Sequence, residues 1–201
     1  MNLILGSRSP RRRELLAGLD VPFEAVDIDC DESFPAVLQA GDIPAYIARR
    51  KAEAYFPQLQ AGDVLLTADT IVWVDGRMLG KPHDAADARR MLRLLSGKTH
   101  QVFTAVCLTT LARQETVVDT TDVTFKQLTD AEIDYYIDHY RPFDKAGAYG
   151  IQEWIGYVGV TAVSGSYFNV MGFPVHRVAA LLQPFSFPRQ SPQKKKKRQI
   201  M

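Results

Sequence analysis

The chain has 201 residues, of which 46% are hydrophobic and 23% are charged, a composition typical of a folded protein with one core. Its apolar stretches are shorter than the roughly 18 residues that span a bilayer, and the three apolar residues before Gly6 are too few for the core of a signal peptide. We therefore expect a cytoplasmic protein without a membrane partner. Cys30 and Cys107 form no C-x-x-C pair, and we expect both to be reduced structural thiols.

The charges are distributed unevenly along the chain. Residues 183–201 contain six basic and no acidic residues, whereas residues 1–182 contain 18 basic and 23 acidic residues. The net negative charge of residues 1–182 makes this part of the chain a poor general binder of nucleic acid, because neutralising phosphates requires clustered Lys and Arg. We therefore expect one domain over residues 1–183, with no specific nucleic-acid partner, and a basic disordered tail over residues 184–201. A weak contact of that tail with RNA or a membrane is the alternative.

Five helices are predicted from apolar spacing and capping residues. Ser9 is suited to cap the first helix, and Pro10 fits its first position, where the missing N–H costs nothing. Asp84 is suited to cap the third, and the sequence TDAE, which starts at Thr129, forms a capping box for the fourth. The predicted helices cover residues 10–19, 44–55, 85–95, 129–140 and 174–182.

Strands are predicted where β-branched and aromatic residues form apolar runs. The predicted strands cover residues 2–5, 64–68, 70–74, 100–110 and 115–126. The dipeptide Asp75-Gly76 is typical of a two-residue hairpin turn, and the last two strands are expected to pair antiparallel. Residues 147–172 are predicted to be strands and loops. Alternating strands and helices, together with these hairpins, predict an α/β fold whose sheet is not wholly parallel.

The sequence GSRSPRRR, residues 6–13, lies between the first predicted strand and the first predicted helix. A helix N-terminus presents free N–H groups and the positive end of the helix dipole, which suit a phosphate. Arginine adds bidentate hydrogen bonds to phosphate oxygens. Because the dipole disfavours three arginines at this end unless an anion is bound, the pattern indicates an anion site. A basic first turn that faces solvent is the alternative.

Three acidic or basic positions are candidates for chemistry. Asp69 lies in an apolar strand, where a carboxylate must be paired, metal-bound or catalytic; it is a candidate to bind metal or deprotonate water, or else a structural aspartate. Lys81, in the loop GKP, is either a ligand of a phosphate or base carbonyl or a solvated lysine. The pair Asp31-Glu32 is either a metal ligand or a solvated loop charge.

Two glycine-containing segments come later in the chain. In DKAGAYGIQ, residues 144–152, small residues let the backbone approach a ligand, and the Gln152 amide can read a base edge. GSYFNVMGFP, residues 165–174, predicts a turn into the last helix. SGKT at 96–99 lacks the first glycine of a P-loop and follows a helix, so it predicts a helix end instead. The histidines have no metal-ligand spacing and no G-x-S-x-G is present, which argues against zinc and serine-hydrolase chemistry.

Taken together, seven segments resemble the motifs of the Maf family of nucleotide pyrophosphatases, in the family's order. The segments lie between Leu5 and about Leu182, and Gly6 stands where the family usually has alanine. Any one motif is weak, whereas seven in order are specific. They are SRSPRRRELL, ARRKAEA, ADTIV, GKP, SGKTHQVFTAV, DKAGAYGIQ and GSYFNVMGFP.

The resemblance implies an α/β fold similar to inosine triphosphate pyrophosphatases: an elongated mixed sheet flanked by helices, with two lobes, a central cleft and commonly a homodimer. It implies that Asp69 is the catalytic base or a metal-proximal carboxylate, with Mg²⁺ or Mn²⁺ near Glu32 and Asp69. The residues implied around the phosphates are Ser7, Ser9, Arg11, Arg12 and Lys51. The segment DKAGAYGIQ resembles the corresponding segment of the family branch that acts on dTTP and UTP. By that resemblance, the residues implied to select the base are Arg11, Thr70, Lys81 and Gln152.

We therefore predict a pyrophosphatase that hydrolyses dTTP and UTP to the monophosphate and pyrophosphate in nucleotide pool sanitation. Asp69 is expected to position or deprotonate the attacking water, while the metal and the cationic side chains neutralise charge on the phosphate oxygens. One alternative is a pyrophosphatase for modified or purine nucleotides. Another is a nucleotide-binding regulator of cell division or septum formation, and a third is a nucleic-acid-associated protein, indicated only by KKKKR.

Overall fold

The computed structural model describes residues 1–187. The predicted basic tail over 184–201 lies outside the described residues from position 188 onward. Its first aromatic residues, Phe185 and Phe187, pack against a core cluster that contains Leu5 and Leu182. None of the helices in residues 1–187 combines the length and the apolar character needed to cross a membrane.

Seven strands form one mixed sheet. They are β1 (Asn2–Gly6), β2 (Glu24–Val26), β3 (Asp63–Val74), β4 (Arg77–Leu79), β5 (Thr99–Thr109), β6 (Gln114–Phe125) and β7 (Val160–Ser164). Their order is β2-β1-β3-β5-β6-β7, and β4 pairs with β3. β1 is parallel to β2 and β3, and the other pairings are antiparallel. The predicted α/β fold with a mixed sheet is confirmed.

The hairpin between β3 and β4 has the predicted chemistry. Asp75 and Gly76 both have positive φ angles, 50° and 73°, which a type I′ turn requires at its two central positions. The antiparallel pairing of β5 with β6 is likewise present along the whole of β5, from Thr99 opposite Thr124 to Thr109 opposite Gln114.

The helices flank the sheet, and three of the five predicted helices begin at the predicted caps, whereas the helix predicted from residue 44 begins at Asp42. The helices are α1 (Pro10–Ala17), α2 (Asp42–Tyr55), α3 (Ala85–Leu95), α4 (Asp130–Tyr140), α5 (Trp154–Gly159), α6 (Tyr167–Val170) and α7 (Val175–Leu182). The Ser9 hydroxyl accepts a hydrogen bond from the Arg12 N–H at the start of α1, Asp84 accepts from Asp87 at the start of α3, and Thr129 forms the complete capping box of α4.

Two short helices differ from the prediction. Residues 147–172 were expected to be strands and loops, but they contain α5 and α6 as well as β7. α5 has six residues and α6 has four, so neither repeats its apolar face often enough to give a helical period in the sequence. α1 also ends at Ala17, earlier than the predicted Leu19.

β3 contributes to four hydrophobic clusters, and on one face of the sheet the division between two of them falls in the middle of the strand. Leu66 and Ala68 belong to a cluster with β1 and α7, whereas Val72 and Val74 belong to a cluster with α3 and α4. The polar pair at positions 69 and 70 lies between the two clusters on the same strand. The expected arrangement of two lobes with a central cleft is therefore present, and β3 runs through both lobes.

Candidate active site

A cavity of about 530 Å³ lies beside the middle of β3, where the polar pair Asp69 and Thr70 separates two of the clusters. Its walls come from the β1–α1 loop, the segment after β2, α2, the middle of β3, the loop after β4, and the segments before α5 and after α6. The ten residues that the family resemblance implied for the site all line this cavity, whereas Asp31 of the acidic pair does not and instead accepts hydrogen bonds from Ser33. The ten residues are Ser7, Ser9, Arg11, Arg12, Glu32, Lys51, Asp69, Thr70, Lys81 and Gln152.

The β1–α1 loop is shaped by its two serines. The Ser7 hydroxyl accepts a hydrogen bond from the Ser9 N–H at 3.2 Å, and the Ser9 hydroxyl accepts from the Arg12 N–H at 3.4 Å. These bonds use acceptor positions of the two hydroxyls and leave their O–H groups able to donate. The loop therefore turns two hydroxyl donors and a helix N-terminus toward the cavity, as an anion site requires.

Arg12 is the most extensively bonded side chain of the site. Its guanidinium donates to the Gly172 carbonyl at 2.8 Å, to the Ala68 carbonyl at 2.8 Å and to Thr70 Oγ1 at 3.1 Å. Ala68 and Thr70 flank Asp69, so Arg12 fixes β3 on both sides of that carboxylate. A contact of Arg12 with a phosphate stays a prediction, and only its remaining N–H groups are available for one.

Lys51 on α2 joins the two predicted metal-site carboxylates. Its Nζ lies 2.9 Å from Asp69 Oδ1 and 3.0 Å from Glu32 Oε1. The Lys51 and Asp69 side chains are 12% and 14% exposed, whereas Glu32 is 54% exposed. Burial raises the pKa of Asp69, while the charges of Lys51 and Arg12 oppose the rise. The result is a carboxylate with increased proton affinity inside a cavity.

The residues predicted to select the base differ from one another in whether their side chains bond to other protein groups. Thr70 Oγ1 lies 3.0 Å from Thr104 Oγ1 on β5 and accepts from Arg12, so its hydroxyl is part of a hydrogen-bond chain. Lys81 is exposed and Gln152 is half-buried, and within residues 1–187 neither side chain has a protein hydrogen-bond partner. Their polar groups are therefore available to a ligand.

Sequence reasoning missed the charged residues at the start of the 144–152 segment. Arg11 Nη1 lies 3.0 Å from Asp144 Oδ2 across the cavity. The side chain of Lys145 is buried, and its Nζ lies 2.7 Å from Asp144 Oδ1 and 3.0 Å from Glu153 Oε1. In the sequence this segment was a candidate for ligand binding only because of its glycines and Gln152, since a sequence does not show that a particular lysine is buried.

The carboxylates of the cavity form a sparse donor set for a metal. No group of three or more His, Cys, Asp or Glu side chains within residues 1–187 is arranged to hold a metal ion. Glu32 and Asp69 nevertheless converge on one cationic position, that of the Lys51 ammonium. One or two carboxylates completed by substrate phosphate oxygens are a usual ligand set for Mg²⁺ in phosphate chemistry. The two residues fit that role.

Comparison with known proteins agrees with the seven motifs. A family model described as "Maf-like protein" matches residues 2–185. The dTTP/UTP pyrophosphatase of Phocaeicola vulgatus is 56% identical over 177 residues, which cover 88% of this chain and 92% of that protein. The dTTP/UTP pyrophosphatase of Porphyromonas gingivalis strain W83 is 52% identical over 186 residues, with coverages of 91% and 94%.

A solved structure, a nucleoside-triphosphatase/dITP/XTP pyrophosphatase from Mycobacterium abscessus, shows a TM-score of 0.44 and 18% sequence identity, and the match covers 91% of this chain and 95% of that one. The family model extends over nearly the whole chain, and the two bacterial relatives share more than half of their aligned residues with it. The chain therefore belongs to the Maf-like protein family.

Proposed function

We propose that this protein hydrolyses dTTP and UTP to the nucleoside monophosphate and pyrophosphate. The observation that carries the proposal is a partly buried carboxylate, Asp69, held by Lys51 in a cavity that also contains a helix N-terminus and arginine side chains. Such a cavity has the groups needed to bind a triphosphate and to activate water. The relatives named dTTP/UTP pyrophosphatase support the choice of substrates.

The phosphate-binding part of the proposal rests on the β1–α1 loop. The Ser7 and Ser9 hydroxyls accept from the Ser9 and Arg12 N–H groups, so their own O–H groups and the positive end of the α1 dipole are available to phosphate oxygens. Arg11 is bound to an exposed carboxylate, that of Asp144, and a triphosphate with higher negative charge competes with that partner. Lys51 and the free N–H groups of Arg12 supply further positive charge next to Asp69.

Asp69 serves as the general base in this proposal. The attacking water loses a proton to the carboxylate as its oxygen bonds to the α-phosphorus. The bond from that phosphorus to the α–β bridging oxygen breaks, and pyrophosphate leaves with the bonding electron pair. Because burial raises the pKa of Asp69, the carboxylate accepts a proton more readily than a solvated aspartate does.

Glu32 and Asp69 are the residues that would hold Mg²⁺ or Mn²⁺. When bound there, the ion neutralises charge that develops on the phosphate oxygens. Lys51 keeps the two carboxylates within reach of one position, and the exposure of Glu32 lets it adjust to a bound nucleotide.

The base-selecting part of the proposal assigns the pyrimidine to Lys81 and Gln152, with Arg11 and Thr70 at the border with the phosphates. Thymine and uracil present carbonyl oxygens on both sides of the N3–H donor. The Gln152 amide offers one donor and one acceptor to such an edge, and the Lys81 ammonium offers a second donor. Cytosine has an amino group in place of one carbonyl and is therefore a poorer match.

A panel of nucleoside triphosphates tests the function. We expect release of pyrophosphate and monophosphate from dTTP and UTP in the presence of Mg²⁺ or Mn²⁺, with slower turnover of CTP, ITP and 7-methyl-GTP. Release of orthophosphate instead of pyrophosphate contradicts the proposed reaction. Preference for 7-methyl-GTP or a purine triphosphate contradicts the proposed substrates and favours a role in clearing modified nucleotides.

Three further properties belong to the same proposal. We expect a homodimer, as the family resemblance implies, a role in nucleotide pool sanitation in the cytoplasm, and a catalytic domain that extends past the predicted boundary at residue 183 to Phe187. Light scattering during size-exclusion chromatography measures the oligomeric state, and a monomeric mass at micromolar concentration contradicts the dimer.

A further inference from the structure

We propose that Lys145 is a positioning residue that sets the base selectivity of the cavity. It does so by holding segment 144–153, the base-reading segment, against the other elements that carry base-selecting residues. The inference rests on the proposed function, because it takes the cavity to be a nucleotide site. It adds a residue that lines the cavity and is paired with the carboxylates of Asp144 and Glu153.

The burial of Lys145 is the first observation. Lysine is almost never fully buried unless it is paired, yet this residue is only 8% exposed. Its Nζ lies 2.7 Å from Asp144 Oδ1 and 3.0 Å from Glu153 Oε1. One ammonium therefore joins the first and last residues of the base-reading segment and closes it into a loop.

The far end of the loop is anchored to α4. Tyr136, which is completely buried, donates a hydrogen bond to Glu153 Oε2 and accepts one from the Gly150 N–H at 3.0 Å. Burial and the neighbouring Glu153 raise the pKa of Tyr136, so its hydroxyl remains protonated and able to donate. Gln152 therefore lies between two residues that are fixed by the same hydroxyl.

The Lys145 and Glu153 side chains pack closely against the backbone inside the loop. A Cβ atom added to Gly150 would lie 2.9 Å from Glu153 Cδ and 3.0 Å from Lys145 Cε, distances that real Cβ atoms essentially avoid. The Lys145–Glu153 pair thus lies directly on the Gly150 backbone, and glycine at this position permits the approach. The ion pair determines the path of the chain immediately before Gln152.

The loop is also connected to two other base-selecting residues. Asp144 pairs with Arg11 at 3.0 Å. The Gly147 N–H donates to the Gly80 carbonyl at 3.0 Å, and Gly80 directly precedes Lys81. Gly147 has a φ of 68°, and an added Cβ would lie 2.9 Å from Val72 Cγ2 on β3, so this contact with the sheet requires glycine as well. Lys145 thereby influences Arg11, Lys81 and Gln152 together.

The proposed chemical machinery is carried by other elements. Lys51 and Asp69 lie on α2 and β3, and the partners of Lys145 are the carboxylates of Asp144 and Glu153. Removing the ammonium leaves those two carboxylates without their shared cation, and the loop loosens while the pair at Asp69 is retained. The expected consequence is weaker and less selective binding with nearly unchanged chemistry.

The test is Lys145→Met, which keeps the length of the side chain and removes its charge. Lys98→Met is the matched control, because Lys98 is a half-exposed lysine with one surface ion pair, to Asp75. For dTTP and UTP we expect Lys145→Met to raise KM about tenfold with kcat within about twofold. We expect the preference for UTP over CTP, measured as the ratio of kcat/KM values, to fall by a similar factor. Lys98→Met should match the wild type.

Two results overturn the inference: an unchanged UTP to CTP preference in Lys145→Met, or an equal fall in kcat for all substrates at constant KM, which would assign Lys145 to the phosphates. If Lys145→Met does not fold, Glu153→Gln and Tyr136→Phe weaken the same loop by removing the charge of Glu153 and the hydroxyl of Tyr136. For both variants we expect the same rise in KM and the same fall in the preference for UTP over CTP. If the wild type acts on another base, the proposed function fails, and the variants are compared on that base.

Discussion

Lys51 brings two carboxylates of different exposure together in the cavity. Asp69 is partly buried and Glu32 is largely exposed, yet both lie about 3 Å from the same ammonium. Burial raises the pKa of Asp69, and the adjacent cations favour its ionised form. Opposing influences of this kind keep a carboxylate ionised while increasing its affinity for a proton, which is what a general base requires.

Asp69→Asn removes the proposed base and keeps an oxygen that can accept from Lys51. We expect kcat for dTTP to fall by at least about a hundredfold, since positioned acid–base groups typically contribute that much or more, and KM to change little. Asp75→Asn is the control, because the same chemical change in the β3–β4 turn suits a type I′ hairpin. Nearly wild-type turnover by Asp69→Asn, with metal and substrate still bound, would rule out the base role.

His100 on β5 predicts how stability depends on pH. Its ring is buried against Phe125 and Tyr149, Nε2 lies 2.7 Å from the Tyr149 hydroxyl, and burial lowers the pKa of His100 to about 4. Between pH 6.5 and pH 4 the unfolded chain therefore binds a proton that the folded chain does not. The contribution of the buried, neutral His100 ring to stability is therefore complete above pH 6.5 and is lost as the pH falls toward 4.

At pH 5, the preferential protonation of His100 in the unfolded chain lowers the free energy of unfolding by about 2 kcal/mol. Urea unfolding of the wild type and of His100→Gln at pH 7.5 and pH 5 measures it, because glutamine retains a hydrogen-bonding group and does not titrate. We expect the wild type to lose about 2 kcal/mol more than the variant over this range. Equal losses would mean that His100 does not titrate differently in the two states.

At the scale of elements, α1 and β3 are connected through one side chain. Arg12 extends from the first turn of α1 and donates to the Ala68 carbonyl and to Thr70 Oγ1, on either side of Asp69, and also to the Gly172 carbonyl before α7. The helix start that we propose to bind the phosphates is thereby fixed relative to the strand that carries Asp69. Lysine cannot make three such bonds in a planar arrangement.

Arg12→Lys is therefore expected to reduce stability as well as activity. We expect the free energy of unfolding in urea to fall by about 2 kcal/mol, because buried acceptors lose their partner. The control is Arg90→Lys, at an exposed α3 residue paired with Asp87, where we expect a change within about 0.5 kcal/mol. An Arg12→Lys protein as stable as the control, with reduced activity, would assign Arg12 to substrate alone.

Contacts between residues that are close in sequence could be predicted from the sequence, whereas contacts between distant residues could not. The caps at Ser9, Asp84 and Thr129 act within three residues, and all three were predictable and are present. Arg12 was predicted as a phosphate ligand, but its partners lie 56, 58 and 160 residues away. Lys145 was missed for a different reason: its partners Asp144 and Glu153 lie close to it in the chain, but the sequence does not show that this lysine is buried.

At the scale of the whole molecule, the cavity lies beside the middle of β3, between two of the hydrophobic clusters to which that strand contributes. β3 contributes Leu66 and Ala68 to one cluster and Val72 and Val74 to the other. The ten predicted site residues come from segments spread over residues 7–152, and the fold brings them to one cavity. The seven motifs indicated the membership of the site, whereas the contacts among its members required the tertiary structure.

The boundary of the folded domain gives a prediction at this scale. Phe185 and Phe187 pack against the cluster that contains Leu5, so a chain ending at residue 183 exposes apolar surface that a chain ending at residue 187 keeps covered. We expect the shorter chain to have a Tm lower by about 5 °C. We expect the longer one to match the full chain in Tm and in kcat/KM for dTTP. Equal Tm values for the two truncations would place the boundary before Phe185.

The position of bond cleavage tests the central claim most directly. Hydrolysis of dTTP in ¹⁸O-labelled water, followed by mass spectrometry of both products, identifies the phosphorus that water attacks. We predict one ¹⁸O atom in the thymidine monophosphate and none in the pyrophosphate, because water activated by Asp69 attacks the α-phosphorus. Label in the pyrophosphate, or release of labelled orthophosphate with thymidine diphosphate, would contradict the proposed reaction.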